Sequence, residues 1–176
     1  MEIVNSSWYR INALDLALCL RCNRISRYWL PRMFFRGVSR LGNGIFWYVL
    51  MMALLAIDGA TALPTVLRML AAALAGLLVY KWLKVRTSRP RPCQVYATIT
   101  ASAPALDRFS FPSGHTLHAV SFTLVASSAY PGLAPILWLY TALVALSRPV
   151  LGLHYPSDVL AGAAIGALLA QLVLAL

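Results

Sequence analysis

Two histidines and one aspartate stand out in a chain otherwise poor in reactive groups. His115 follows a Pro-Ser-Gly turn in "FPSGHTLHAV", residues 111–120, and His154 precedes Asp158 by four residues in "SRPVLGLHYPSD", residues 147–158. Pro156 fits a helix start between His154 and Asp158. A carboxylate at that spacing can bond one imidazole nitrogen and fix the tautomer, which leaves the other nitrogen free to attack phosphorus. His115, arriving from another helix, can protonate the leaving alkoxide or phosphate. These three groups suffice for a two-step hydrolysis through a phosphohistidine, with no metal required.

The remaining polar residues suit an anion. "KVRTSRPRP", residues 84–92, supplies Lys84 and Arg91, and Arg148 lies just ahead of His154. Phosphate oxygens need several donors, and arginine offers planar bidentate ones. Ser113 and Gly114 immediately precede an apolar helix whose free N–H groups and positive dipole end favour an anion. Gly114 lets the backbone approach without a side chain in the way.

The order and spacing of these segments resemble the type 2 phosphatidic acid phosphatase family, which also includes vanadium haloperoxidases. Its K-x6-R-P motif is matched by Lys84 through Arg91-Pro92, its P-S-G-H by Pro112–His115, and its S-R-x5-H-x3-D by Ser147-Arg148, His154 and Asp158. The resemblance implies a helical bundle and a phosphorylated lipid as substrate. It implies His154 as nucleophile, Asp158 as its orienter, and His115 as general acid and then base for water. Lys84, Arg91, Ser113, the Gly114 amide and Arg148 would bind phosphate. The sequence departs from the family at one point: many members have six spans, and this one reads as lacking the first.

The elements that must carry these residues follow from composition. The 176 residues are 60% hydrophobic and 11% charged, with a mean hydropathy of +0.72, whereas soluble domains carry about 25% charged residues. A single all-α integral membrane domain is expected over 1–176. It comprises an N-terminal amphipathic segment, 1–43, and a catalytic core, 44–176, of about five transmembrane helices. The spans are expected at 44–63, 64–83, 115–130, 133–147 and 156–176, with a polar loop at 84–113. Residues 10–32 alternate apolar positions with Arg10, Arg21, Arg24 and Arg27. They read as an interfacial helix with Trp8, Tyr9, Tyr28 and Trp29 as belt residues. Gly162 and Gly166 give the last span a G-x-x-x-G face, read equally well as close helix packing or as a helix merely rich in small residues. No basic stretch precedes an apolar run at the start, so no cleavable signal is expected.

The net charge of +10, from 15 Lys and Arg against 5 Asp and Glu, sits beside the spans rather than over a soluble face. That excludes nucleic acid as the partner and points to the bilayer. By the positive-inside rule, seven N-terminal arginines lead to the expectation of a site at the cytoplasmic face of a bacterial inner membrane; the family gives the periplasm as the alternative. Arg86 and Arg89 fall outside the motif and read as a solvated basic loop that anchors to anionic lipid. His118 reads as a packing residue, with a place in the pocket wall as the alternative; the aromatics Trp47, Tyr48, Trp82 and Trp138 read as packing or belt residues, and Asp58 as interfacial at the opposite end. Residues 93–111 read as a surface lid beside the pocket. Cys19, Cys22 and Cys93 lack further ligands at zinc spacing, so neither metal nor cofactor is expected. The substrate class is a phosphomonoester or diphosphate on a lipid: phosphatidylglycerophosphate, phosphatidic acid or undecaprenyl diphosphate. Transfer of the phosphoryl group to another lipid, or a non-catalytic scaffold or transporter, are the alternatives.

Overall fold

The computed structural model describes residues 2–176, and side chains from Asn12 onward. Among the described residues the chain forms eight α-helices: α1 Glu2–Ile25, α2 Trp29–Leu41, α3 Ile45–Asp58, α4 Leu63–Thr87, α5 Pro92–Val95, α6 Gly114–Ala129, α7 Ala134–Val150 and α8 Pro156–Leu174. Prolines set several boundaries. Pro64, Pro92, Pro135 and Pro156 each occupy the first turn of a helix, where the missing N–H costs nothing and φ is already helical. Gly59, at φ +58°, ends α3 and starts the tight turn into α4.

The bundle is built for lipid. Segments 45–95, 131–150 and 156–174 are long and apolar enough to cross a membrane, and the first of these contains both α3 and α4. Leucines such as Leu78, Leu139, Leu160 and Leu168 point outward unburied, the surface expected where acyl chains rather than water cover the helices. α6 is the exception. With 16 residues it is about 24 Å long, and it runs through the centre against α4, α7 and α8. Its hydroxyls find internal partners: Thr123 and Thr141 share a bond of 2.6 Å, and Thr141 donates to the Ala119 carbonyl. Around it Trp47, Met51, Met69, Phe122, Val125, Leu137 and Val144 form the main apolar core.

The last helix is held tightly to the central one. A Cβ at Gly162 would stand 2.5 Å from the Ser113 carbonyl oxygen, and one at Gly166 would strike the Leu117 carbonyl. These two glycines therefore form a backbone-to-backbone seam between α8 and α6, which decides between the two readings of the G-x-x-x-G. The seam brings the start of α8, with Asp158, beside the start of α6, where the Ser113 N–H donates to the Asp158 carbonyl at 3.0 Å.

The N-terminal region departs from the expected single interfacial helix over 10–32. The chain breaks at Ser26–Tyr28 into α1 and α2, because Asn23 is buried and turned inward. Its side chain bonds the Val150 carbonyl and both backbone groups of Thr100. The interfacial character falls on α2 and the turn before it, where Tyr28, Trp29, Leu30, Met33 and Phe34 are exposed alongside Arg27, Arg36 and Arg40. The inner half of α1 instead lies against α7 and α8 and buries Asp15, Cys19 and Asn23. The side chains of Trp8, Tyr9, Arg10 and Ile11 lie outside those described.

Candidate active site

α4 continues past the expected span end through Thr87, and this extra turn delivers Lys84 to the face where α6 and α8 begin. Lys84, Arg91, Gly114, His115, Arg148 and His154 all line one cavity of about 810 Å³. Its inner wall is apolar and aromatic, with Trp47, Met51, Leu70, Leu74 and Phe122 running down between α3, α4 and α6. A charged mouth on an apolar groove is the shape that an amphiphile with an anionic head requires.

His154 sits in the turn between α7 and α8, 2% exposed. Its Nδ1 donates to the Ser110 carbonyl at 2.6 Å, while Asp158 Oδ2 lies 3.6 Å from the same nitrogen. The expected carboxylate bond is therefore replaced by a backbone one. The tautomer it selects is the same: the proton resides on Nδ1 and the lone pair on Nε2 faces the cavity side, 3.2 Å from Arg91 Nη1. Burial, then the charges of Arg148, Arg91 and Lys84, hold the His154 imidazolium well below its ordinary pKa against the opposing Ser110 bond. Ser110 is pinned in turn, its N–H and hydroxyl both bonding the Arg89-Pro90 backbone.

The cations are set by different means. Arg91 donates from Nη1 to the Leu153 carbonyl at 2.7 Å and from Nε to the Asp107 carbonyl at 3.1 Å. Arg148, in the last turn of α7, donates to Ser39 of α2 at 2.6 Å, and its Nε is buried with no partner among the described residues. Lys84 Nζ and Arg91 Nη2 both donate to Asp107 Oδ1, each at 2.7 Å. Burial alone would raise the Asp107 carboxyl, but the Lys84 and Arg91 bonds and charges outweigh it and hold it below the usual carboxylate range. A carboxylate thus occupies the seat formed by two of the three cations expected to take phosphate.

Two of the expected residues stand behind the cavity wall rather than on it. Ser113 is fully buried, and its hydroxyl caps α6 by accepting from the Thr116 N–H at 3.4 Å and pairing with Thr116 Oγ1 at 2.9 Å. Asp158 is fully buried as well. Its Oδ2 accepts from the Tyr155 N–H at 2.9 Å and its Oδ1 from Arg89 at 2.7 Å. A Cβ at Gly114 would come into ordinary contact with the Tyr80 ring, at 3.6 Å, so crowding does not by itself demand a glycine here.

Several residues at the site escaped the sequence reading. Arg89 is not a solvated loop residue: it stacks on Tyr155 at 4.0 Å and bridges Asp158 to Asp15. Arg86 does remain outward, over Trp82. Asn43, in the turn before α3, accepts from His115 Nε2 and orients that ring. Asp107 interrupts segment 93–111, expected as a lid, whose first half is fixed by Asn23 on Thr100 and by the Ser102 N–H on the Leu151 carbonyl. His118 lines the cavity, stacked on Phe122. One signal was available: of five acidic residues in the chain, Asp15, Asp107 and Asp158 all reach this site.

Comparison with known proteins matches this arrangement. The profile of the PAP2 superfamily matches residues 65–176, which hold all three charged segments. A decaprenylphosphoryl-5-phosphoribose phosphatase of Mycobacterium tuberculosis is 35% identical over 143 residues, spanning 78% of this chain and 76% of that protein. The chain belongs to the PAP2 superfamily. The crystal structure of LpxE from Aquifex aeolicus superposes on this PAP2 chain with a TM-score of 0.81 at 27% identity, covering 93% of this chain and 96% of that one. The transmembrane PAP2 type phosphatidylglycerolphosphate phosphatase from Bacillus subtilis gives 0.74 at 26% identity, covering 94% and 85%. The PAP2 match begins within α4, so Asp15, Ser39 and Asn43 reach the site from helices and turns outside it.

Proposed function

We propose that this protein is a metal-independent membrane lipid phosphatase that works through a phosphohistidine on His154. The observation that carries this reading is the convergence of two imidazoles and three cations at the polar mouth of one apolar groove. The lipid's acyl or prenyl chain occupies the groove, and its phosphate displaces Asp107 from Lys84 and Arg91. Arg148 and the Gly114 amide complete the cradle, and Ser113 supports it by capping α6. His154 Nε2 attacks phosphorus, forming the N–P bond as the P–O bond to the leaving group breaks. His115 in its imidazolium form, with its Nε2–H held by Asn43, gives the departing oxygen its Nδ1 proton, then takes one back on Nδ1 from the water that cleaves the N–P bond.

The substrate is a phosphate monoester or diphosphate on a lipid anchor. The mycobacterial relative adds a phosphorylated sugar on a polyprenyl phosphate to the candidates named from the sequence. The cytoplasmic face is the proposed side, supported by the exposed Arg21, Arg24, Arg27, Arg36 and Arg40 of the N-terminal helices and the turn between them and by the positive-inside rule.

The test is phosphate release by the purified protein from defined lipids. The panel is phosphatidylglycerophosphate, phosphatidic acid, undecaprenyl diphosphate and decaprenylphosphoryl-5-phosphoribose, with His154→Ala as the blank. The expected result is release that vanishes in His154→Ala, an acid-labile phosphoenzyme in the parent, inhibition by vanadate and none by chelators. Turnover in His154→Ala overturns the phosphohistidine, and inhibition by a chelator overturns metal independence.

A further inference from the structure

Asp15 lies on α1, far in sequence from every charged motif and before the segment matched by the superfamily profile. Yet it is 4% exposed, and its bonds all end on elements that carry the site. Its Oδ1 accepts from the Ser157 N–H at 2.9 Å, in the first turn of α8. Its Oδ2 accepts from the Ser157 hydroxyl and from Arg89 Nη2, the latter at 2.7 Å. Arg89 uses its other terminal nitrogen, Nη1, on Asp158 Oδ1 at 2.7 Å and on the Ser157 hydroxyl at 2.8 Å. The guanidinium is therefore stretched between two carboxylates, with its face laid on Tyr155.

We propose that Asp15 is a positioning residue for the phosphatase reaction, fixing Arg89 so that Arg89 in turn sets the Asp158 carboxylate behind His154. The proposal rests on His154 being the nucleophile. The chain of contacts is continuous. Asp15 holds one end of the fork, the fork holds Asp158 Oδ1, and the other oxygen of Asp158 stands 3.6 Å from His154 Nδ1. Removing the Asp15 charge leaves Arg89 with one anion in place of two and frees its rotamer. The Asp158 carboxylate then follows a mobile partner, and small displacements of catalytic groups are costly in rate. Lys84, Arg91 and Arg148 have no bond to Asp15 among the described contacts, so phosphate binding is left alone. α1 is on this view part of the catalytic apparatus and not a membrane-surface anchor.

A merely structural role, docking α1 and capping α8, predicts something different, and a double-variant cycle separates the two. Asn at position 15 retains an acceptor for the Ser157 N–H but loses the charge. Asp15→Asn is expected to lower kcat by about 10- to 100-fold with KM within about twofold of the parent, as misplacement of a group acting on the nucleophile would. In an Arg89→Gln background the same change should cost less than about twofold, because the two residues act through one contact. Losses that multiply in the double variant overturn the proposal. So does a kcat per folded molecule equal to the parent's, whether or not thermal stability falls. If Asp15→Asn does not fold, Arg89→Lys reads the same link by keeping the charge and removing the fork. A comparable fall in kcat at constant KM supports the proposal, and an unchanged kcat overturns it. His154→Ala, assayed alongside, reports on the underlying mechanism separately. An inactive His154→Ala with a fully active Asp15→Asn overturns only the role of Asp15, whereas an active His154→Ala overturns both.

Discussion

Asp158→Asn measures what the buried carboxylate does once the tautomer is set elsewhere. The Ser110 carbonyl already takes the His154 Nδ1 proton at 2.6 Å, so the substitution leaves Nε2 unprotonated and able to attack. In the proposed mechanism, what disappears is the negative charge facing an imidazole that becomes cationic as it bonds to phosphorus. With Asp158 Oδ2 3.6 Å from Nδ1, that charge is worth at most about 4.6 kcal/mol at an effective dielectric of about 20. This ceiling corresponds to about 2,000-fold in rate, at ~1.4 kcal/mol per decade. Arg89 on the other carboxylate oxygen opposes the effect, so the expected fall in kcat is roughly 30- to 1,000-fold, with the phosphate cations untouched. Loss of a correct tautomer in a hydrolytic triad is larger, about 10⁴-fold. Single-turnover phosphate release, with phosphoenzyme formation followed separately, distinguishes the cases. A loss beyond about 10⁴ would mean that Asp158, and not Ser110, selects the tautomer. A loss under about fivefold would mean that the carboxylate gives the imidazolium no support.

Three further outcomes follow from the same geometry. As the proposed nucleophile His154 must be neutral to attack, and burial with the surrounding cations lowers its pKa. The active form therefore persists as pH falls, and the His154 limb of the kcat/KM profile should lie below about 6.5, the ordinary histidine value; a limb at or above it refutes this. Asp107→Ala removes the carboxylate that competes for Lys84 and Arg91. Inorganic phosphate should then inhibit about 5- to 10-fold more tightly, a gain of ~1 kcal/mol, less than the roughly 1.5–3 kcal/mol of one hydrogen bond to a charged group; an unchanged inhibition constant would show that Asp107 is no competitor. Gly166→Ala places a methyl group against the Leu117 carbonyl, and overpacking of this kind costs about 1–3 kcal/mol. Thermal inactivation in detergent should come at lower temperature and kcat should fall as α8 carries Asp158 away from α6; a variant indistinguishable from the parent refutes the tight seam.

What could be read from the sequence was whatever local periodicity or contiguous motif encodes. Pro156 announces the start of α8 and Pro64 that of α4, because proline's constraint acts within one turn. The six motif residues that line the cavity were visible because K-x6-R-P, P-S-G-H and S-R-x5-H-x3-D are each short runs. The division of 10–32 into α1 and α2 was not visible, since the amphipathic pattern carries across Ser26–Tyr28 and the break answers to Asn23 bonding residues more than 75 positions away. Ser110 could not be named for a simpler reason: the group it contributes is a backbone carbonyl, and every residue has one. Arg89 looked like a loop charge because its two partners lie 74 and 69 positions off, and Asp107 looked like one acid in a bland segment. The acids nonetheless carried a readable physical signal. In a chain with 15 cationic residues and 5 acidic ones, a carboxylate among helices facing lipid is costly unless paired. Asp15, Asp107 and Asp158 are each bonded to at least one of the cations Lys84, Arg89 and Arg91. Scarcity, more than spacing, is what ties the distant Asp15 to the same ion-pair cluster as Asp158, and it applies to any strongly basic membrane protein in which a lone carboxylate has no neighbour in sequence.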